Sequence, residues 1–218
     1  MCGRVHLSSE IEKLIEVFAI PLAHPAPNIA ASWNVAPTDP LPVVRYNGKT
    51  GERSLDVLRW GLVPFWSKDI KVGFANINAK AEGIDTRPAF REAFQRRRCL
   101  VPVDNFYEWA KTPADKQPYA IALADCGIMA LAGLWETWRA PAGEWVRSFA
   151  IVTTVPNALC CEIHNCSGLQ SSGLRLAIIG NFWLTLGEIV GRVWLTLGDP
   201  RLAIIETGLH SSAPAHVL

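Results

Sequence analysis

Residues 99–155 read CLVPVDNFYEWAKTPADKQPYAIALADCGIMALAGLWETWRAPAGEWVRSFAIVTTV, and the fold class follows from this stretch. Apolar or alternating runs occupy Cys99–Val103, Phe106–Trp109, Tyr119–Ala124, Ile128–Trp138 and Trp145–Val155. They are broken by turn formers such as Asp125-Cys126-Gly127 and Pro141-Ala142-Gly143. β-Branched and aromatic residues at this density, punctuated by Gly, Pro and Asp, specify short strands joined by turns. Such local spacing favours antiparallel meanders over βαβ crossovers.

Upstream, Leu41–Tyr46 and Leu55–Trp60 read as two further strands, with Asn47-Gly48 as the turn signal between them. Trp60-Gly61-Leu62-Val63-Pro64-Phe65-Trp66 then forms a loop with aromatics at its tip. Asn76–Glu82 leads into a helix over Pro88–Arg98, with Pro88 suited to its first turn. Nearer the start, Ser9-Glu10-Ile11-Glu12 has the pattern of a capping box. Ile11, Leu14, Ile15 and Phe18 follow at helical spacing, and this helix ends near Pro21. Downstream, Asn157–His164 reads as a short helical segment. The expected class is α+β, a strand-rich body with helices on its flank.

The chain has 218 residues, half of them apolar, with nine Trp and a net charge of +1. It is long enough to bury a sizeable core, and nothing global demands a nucleic-acid partner, so any basic surface must be local. No positively charged leader precedes an apolar core, and the apolar stretch Leu174–Gly198 is interrupted by Arg175, Asn181, Glu188 and Arg192, so no membrane span is expected. The six cysteines include no CxxC pair and fit a reducing cytoplasm better than a disulfide scaffold. Asn165-Cys166-Ser167 is a chance sequon in that setting.

The composition shifts after Asn165. The last 53 residues carry only six of the 41 charged side chains. Trp-Leu-Thr-Leu-Gly occurs at 183–187 and 194–198, and Arg-Leu-Ala-Ile-Ile at 175–179 and 201–205. The unequal offsets exclude a solenoid period.

The first four residues, Met1-Cys2-Gly3-Arg4, offer chemistry of their own. With Met1 removed, Cys2 carries an α-amine and a thiol on adjacent carbons. The amine condenses with an aldehyde to an imine, and the thiol closes on the same carbon to give a thiazolidine. Arg4 nearby favours the thiolate.

Glu108 lies within Phe106-Tyr107-Glu108-Trp109, and a carboxyl held among aromatics suits general-acid work. Taken locally, a strand's solvent face is the plainer reading for Glu108, as a backbone-satisfied helix terminus is for His164 and a turn is for Asn78. Arg87, Arg91 and Arg96-Arg97-Arg98, with Arg4 and Lys80, would track a phosphate backbone, and Trp33, Phe65 or Trp66 would stack on bases. A solvated helix face is the competing account of that basic run. Cys160, Cys161, His164 and Cys166 lack the spacing of structural zinc sites, so no metal is expected.

Taken together, these residues resemble the SOS response-associated peptidase family, also described as abasic-site processing proteins. The matching pieces are Met1-Cys2-Gly3-Arg4, Trp33-Asn34-Val35-Ala36-Pro37, Trp60-Gly61-Leu62-Val63-Pro64 with Trp66, and Asn78-Ala79-Lys80-Ala81-Glu82. Arg98-Cys99-Leu100-Val101-Pro102 with Phe106-Tyr107-Glu108-Trp109, Ala132-Gly133-Leu134-Trp135-Glu136 and Ile163-His164-Asn165 complete the set, all in the family's order. The resemblance implies a single α+β domain around a distorted, antiparallel β-barrel-like core. It implies a partner, single-stranded DNA containing abasic sites, and a covalent thiazolidine link to the ring-opened sugar, with self-reversal and weak lyase activity. Cys2 would be the nucleophile, Asn78 would orient it, Glu108 would move the proton, and His164 would assist imine chemistry and release. Arg4, Asn34, Trp66, Lys80 and Arg87 would hold phosphates and flanking bases. The peptidase label reflects removal of residues before the cysteine, here Met1 alone.

No cofactor is implied, and a cytoplasmic monomer, nucleoid-associated on DNA, is expected. Where the family continues with Arg-Met-Pro, this chain has Cys166-Ser167-Gly168. Residues 1–165 are therefore read as the family-like domain. Residues 166–218 are read as an atypical C-terminal segment of the kind a shifted reading frame produces. Two other functions share parts of this pattern: an N-terminal cysteine amidohydrolase, using the α-amine as base, and a noncovalent single-strand binder.

Overall fold

The computed structural model describes residues 3–111, 113, 115–123, 125–154, 175–176 and 202–206. In chain order the elements are β1 (Val5–Leu7), α1 (Ile11–Val17), β2 (Ser32–Val35), β3 (Pro40–Asn47), β4 (Glu52–Trp60), a 3-10 helix (Ile70–Asn76) and β5 (Asn78–Lys80). They continue as α2 (Arg91–Arg96), β6 (Arg98–Val103), β7 (Asn105–Lys111), β8 (Lys116–Leu123), β9 (Met129–Arg139), β10 (Trp145–Thr154), β11 (Arg175–Leu176) and β12 (Leu202–Glu206). The fold is α+β, as the strand runs and turn residues led us to expect.

Five strands close on themselves in the order β10-β4-β3-β6-β9, because β9 also pairs with β10. A closed ring leaves its strands no free edge. The β9–β10 hairpin and the β3–β4 and β6–β9 pairs are antiparallel. The seam between β4 and β10 is parallel, with Ser148 opposite Arg59 and Phe149 opposite Trp60, and β5 also lies parallel to β10. The antiparallel pairing expected between neighbouring strands holds, and the seam adds a parallel pair to it. Turn signals report hairpins between neighbours, and the seam joins strands far apart in sequence. Trp60 and Phe149 meet across it, stacked at 6.3 Å and fully buried. Leu41, Val43, Leu58, Leu100, Met129 and Leu131 fill the core around them.

The second sheet runs β12-β8-β7-β1-β2, with β1 between β7 and β2. Val5 pairs with both Val35 and Phe106 and is fully buried. The second copy of Arg-Leu-Ala-Ile-Ile supplies most of β12, which adds to β8 with Leu202 opposite Leu123. The first copy supplies β11, which pairs with the last two residues of β10, Thr153 and Thr154, beyond its pairing with β9.

Both helices differ from expectation. The capping box at Ser9 does not form: α1 begins after Glu10, which makes no side-chain cap. Ser9 is taken by a stronger partner, donating from Oγ to Asp104 Oδ1 at 2.6 Å and from its backbone N–H to Oδ2 at 2.9 Å. Helix α2 starts at Arg91, with Pro88–Phe90 in a turn before it. It ends at Arg96 because Arg97 leaves the helical backbone region (φ −132°, ψ 62°) and its carbonyl accepts from Trp135 N–H at 2.9 Å.

The loop after β4 is held by a contact between two glycines. Gly61 has φ +115° and bonds the barrel through its N–H to the Phe149 carbonyl at 2.8 Å. A Cβ on Gly73 of the 3-10 helix would lie 2.6 Å from the Gly61 carbonyl oxygen and 2.9 Å from Arg59 Nη1. A carbonyl oxygen cannot rotate away as a side chain does. Gly73→Ala is therefore expected to destabilise the fold by about 1–3 kcal/mol, read as a lower urea midpoint with an unchanged slope.

Candidate functional site

Strand β1 carries the N-terminal end of the described chain into the second sheet, between the strands that bear Asn34 and Glu108. Period-two alternation explains Glu108: Phe106 and Glu108 share a face of β7 and are 1% and 2% exposed. The solvent-face reading is thus overturned, and the carboxyl lies inside. Tyr107, between them, points the other way. Its N–H donates to the Arg4 carbonyl at 3.0 Å, and its hydroxyl donates to the Trp33 carbonyl at 2.9 Å. Burial pushes the Tyr107 phenol up from its ordinary value, which keeps that donor protonated.

Arg4 Nη1 donates to Asn34 Oδ1 at 3.2 Å, so two of the expected DNA-binding residues meet directly. Trp33 is 63% exposed beside them, with its ring 6.1 Å from that of His6. Asn78 and Lys80 lie on β5, opposite Ile151 and Thr153 of β10, so Asn78 is a strand residue and the turn reading fails. Ala79 between them is fully buried, leaving its two half-buried neighbours on the other face. Lys80 forms no ion pair with a carboxylate among the described residues, nor does the exposed Arg87. Phe65 and Trp66 stand 52% and 53% exposed at the tip of the loop after β4, while Leu62 and Val63 anchor it in the core. Trp138 Nε1 donates to the Ser67 carbonyl at 2.7 Å and ties the tip to β9. Neither Trp66 nor Arg87 bonds to the Arg4–Asn34 pair. Cys2, His164, the helical segment Asn157–His164 and the Cys160/Cys161/Cys166 group lie outside the described residues.

The basic run after α2 is not one stripe. Arg97 Nη2 donates to the buried Glu136 at 2.7 Å and to Glu92 at 3.4 Å, and Arg98 lies over the Phe94 ring. Burial raises the Glu136 carboxyl above its usual value, against the pull of the Thr137 N–H and of Arg97. Among the described residues no group of three His, Cys, Asp or Glu is placed to hold a metal, and no helix is long and apolar enough to cross a membrane. Of the described cysteines, Cys99 is buried, which raises its thiol far above the ordinary range and leaves it inert.

Sequence reasoning missed the polar network behind β1. Asn105 Nδ2 lies 2.7 Å from His6 Nδ1, and His6 Nε2 lies 2.8 Å from Ser8 Oγ. Asp104 Oδ2 accepts from Ser8 N–H at 2.7 Å and Ser9 N–H at 2.9 Å. The network ties β1 to the β6–β7 junction and, through the His6–Trp33 stack, to β2. Alternation alone marks His6 as facing away from Val5 and Leu7, but no local pattern names its partners.

Burial lowers the His6 pKa below 6.5, with Asp104 opposing in part. Burial works against the Asp104 charge, yet the Ser9 and Ser8 bonds and His6 outweigh it and hold Asp104 below 3.8. Both folded values are depressed, so both groups contribute stability that is present above their unfolded values and lost on acidification. His6 loses its share first, as pH falls below about 6.5, and Asp104 below about 4. The melting temperature is expected to decline between pH 7 and pH 5, and His6→Gln is expected to flatten that decline. An unchanged slope in the variant would remove His6 from the account.

The family model described as SOS response associated peptidase matches residues 1–170. The abasic site processing protein YoqW of Bacillus subtilis (strain 168) is 40% identical over 166 residues, 76% of this chain and 73% of that protein. YoaM, an abasic site processing protein of the same organism, is 39% identical over the same length, covering 76% and 72%. Among solved structures, a protein from Bacteroides thetaiotaomicron shares the fold with a TM-score of 0.76 at 22% identity, covering 94% of this chain and 91% of that one. One from Bordetella bronchiseptica gives 0.73 at 22% identity, covering 95% and 100%. With the family model spanning more than three quarters of its length, the chain belongs to the SOS response associated peptidase family.

Proposed function

We propose that the protein captures abasic sites in single-stranded DNA by forming a thiazolidine with Cys2. The observation that carries this reading is the buried Glu108 carboxyl, on the strand that hydrogen-bonds the Arg4 carbonyl two residues from Cys2. The α-amine of Cys2, freed by loss of Met1, adds to the aldehyde of the ring-opened deoxyribose to give a carbinolamine. Glu108 delivers a proton to the departing hydroxyl, water leaves, and a protonated imine remains. The thiolate then adds to the imine carbon, closing the five-membered ring. One water is lost overall, and the reverse sequence releases the strand.

Asn78 orients the terminus and the sugar, and His164 handles protons during ring closure and opening. Arg4, Lys80 and Arg87 contact phosphates, while Asn34 and Trp66 contact flanking bases. Before the ring closes, the imine acidifies the neighbouring C–H, so elimination of the 3′ phosphate is a slow side reaction. Residues 1–165 form the working unit. The protein acts as a monomer, is associated with the nucleoid when bound, and needs no cofactor.

The test is intact mass. Incubation with an abasic single-stranded oligonucleotide should add the oligonucleotide's mass less one water to a chain lacking Met1. An undamaged oligonucleotide should add nothing. Retention of Met1, or no covalent adduct, would refute the proposal.

A further inference from the structure

A recess lies where the end of β3, the start of β4 and the last turn of α2 come together. Its volume is about 420 Å³, and none of the residues proposed above to hold the abasic strand lines it; of the basic run expected from the sequence to follow a phosphate backbone, Arg96 alone does. Three guanidinium groups, Arg45, Arg53 and Arg96, share its wall with a single carboxylate, Glu52. Arg45 is built into place. Its Nε and Nη2 both donate to Asp56 Oδ2, at 2.9 and 2.8 Å, and its guanidinium carbon sits 4.5 Å from the centre of the Trp135 ring. Asp56 thus occupies one edge of the fork and Trp135 one face. The Nη1 edge makes no ion pair among the described residues. Arg53 donates one N–H from Nη1 to the Phe18 carbonyl at 2.9 Å, and Arg96 is exposed at the rim without an ion pair among the described residues. On the opposite side of the balance, His24 lies 3.9 Å from Glu52, itself half exposed.

The geometry points to this recess as a nucleotide-binding site, with the phosphate held by Arg53 and Arg96 and the base laid on the Arg45–Trp135 stack. Arginine forks match phosphate oxygens and also present a flat cationic face to an aromatic ring, so one wall serves both ends of the ligand. A bare phosphate fills only a fraction of about 420 Å³, whereas ligand pockets of roughly 300–1,000 Å³ take whole small molecules. The source is a free mononucleotide or the phosphorylated end of a strand, and both present the same phosphate and base.

The experiment is calorimetric titration of the full chain at low salt with dTMP, thymidine, inorganic phosphate and a 5′-phosphorylated oligothymidylate. Thymidine should not bind, and phosphate should compete weakly. Arg96→Gln should weaken the phosphorylated ligand about tenfold through the lost charge-assisted bond. Glu52→Gln should tighten it severalfold, a gain that misfolding cannot mimic. Binding of dTMP with this pattern assigns a free nucleotide, and the same pattern with the oligonucleotide alone assigns a strand end. If neither ligand binds, or if neither variant changes the affinity, the site does not exist. Both variants should still form the Cys2 adduct, so failure here and failure of the abasic-site reading are told apart.

Discussion

Cys2→Ala is expected to give no heat-resistant adduct with an abasic single strand, a complete loss rather than a slowing. Alanine keeps the α-amine and, being small, still permits removal of Met1, so the first half of the chemistry survives. The imine forms, but no thiol is present to close on its carbon, and the imine hydrolyses when the protein is denatured. Two further results separate this from simple unfolding. Borohydride should restore a stable adduct by reducing the imine. Strand cleavage should increase, because an imine that is not trapped has longer to eliminate the 3′ phosphate. A variant that crosslinks without reductant would transfer the role to another residue. The buried Cys99 is a poor candidate, since burial favours its thiol over the thiolate. A variant that still melts cooperatively but neither traps with borohydride nor cleaves would place the amine, and not only the thiol, outside the reaction.

Local signals located most of the scaffold. The runs at Cys99–Val103, Phe106–Trp109, Tyr119–Ala124, Ile128–Trp138 and Trp145–Val155 all emerge as strands, with ends moved by a few residues at most. The Asn47-Gly48 signal does mark a hairpin, although the left-handed residue is Gly51, which bonds back to the Asn47 carbonyl at 2.8 Å. Contacts between distant residues were the part that stayed hidden. The parallel seam of the barrel depends on Arg59 and Trp60 meeting Ser148 and Phe149. Ser9 fails as a helix cap because Asp104, across a strand junction, binds it. Competition of this kind has no period and no spacing. Glu108 is a different case: two positions along the strand from the buried Phe106, it faces inward by alternation alone. The sequence held that answer, and weighing the residue as an isolated charge obscured it. Arg4 and Asn34, named separately from the sequence, meet only because β1 is laid against β2.

Glu108→Gln is expected to slow crosslink formation by about 10²–10⁴, the range over which a positioned acid–base group acts. Glutamine keeps the shape and much of the hydrogen-bonding capacity of a side chain that is only 2% exposed, so the β7 core beside Phe106 should remain intact. What it lacks is a proton to give to the leaving hydroxyl of the carbinolamine. A group that only transfers protons lowers the barrier equally in both directions. Release of the strand should therefore slow by the same factor, and the amount of adduct at equilibrium should stay the same. Single-turnover rates in each direction, taken with the end point of a long incubation, measure all three quantities. A changed end point, with the two rates altered by different factors, would make Glu108 a binding residue for the bound strand. Equal rates and an equal end point would leave it a buried carboxyl with no part in the reaction.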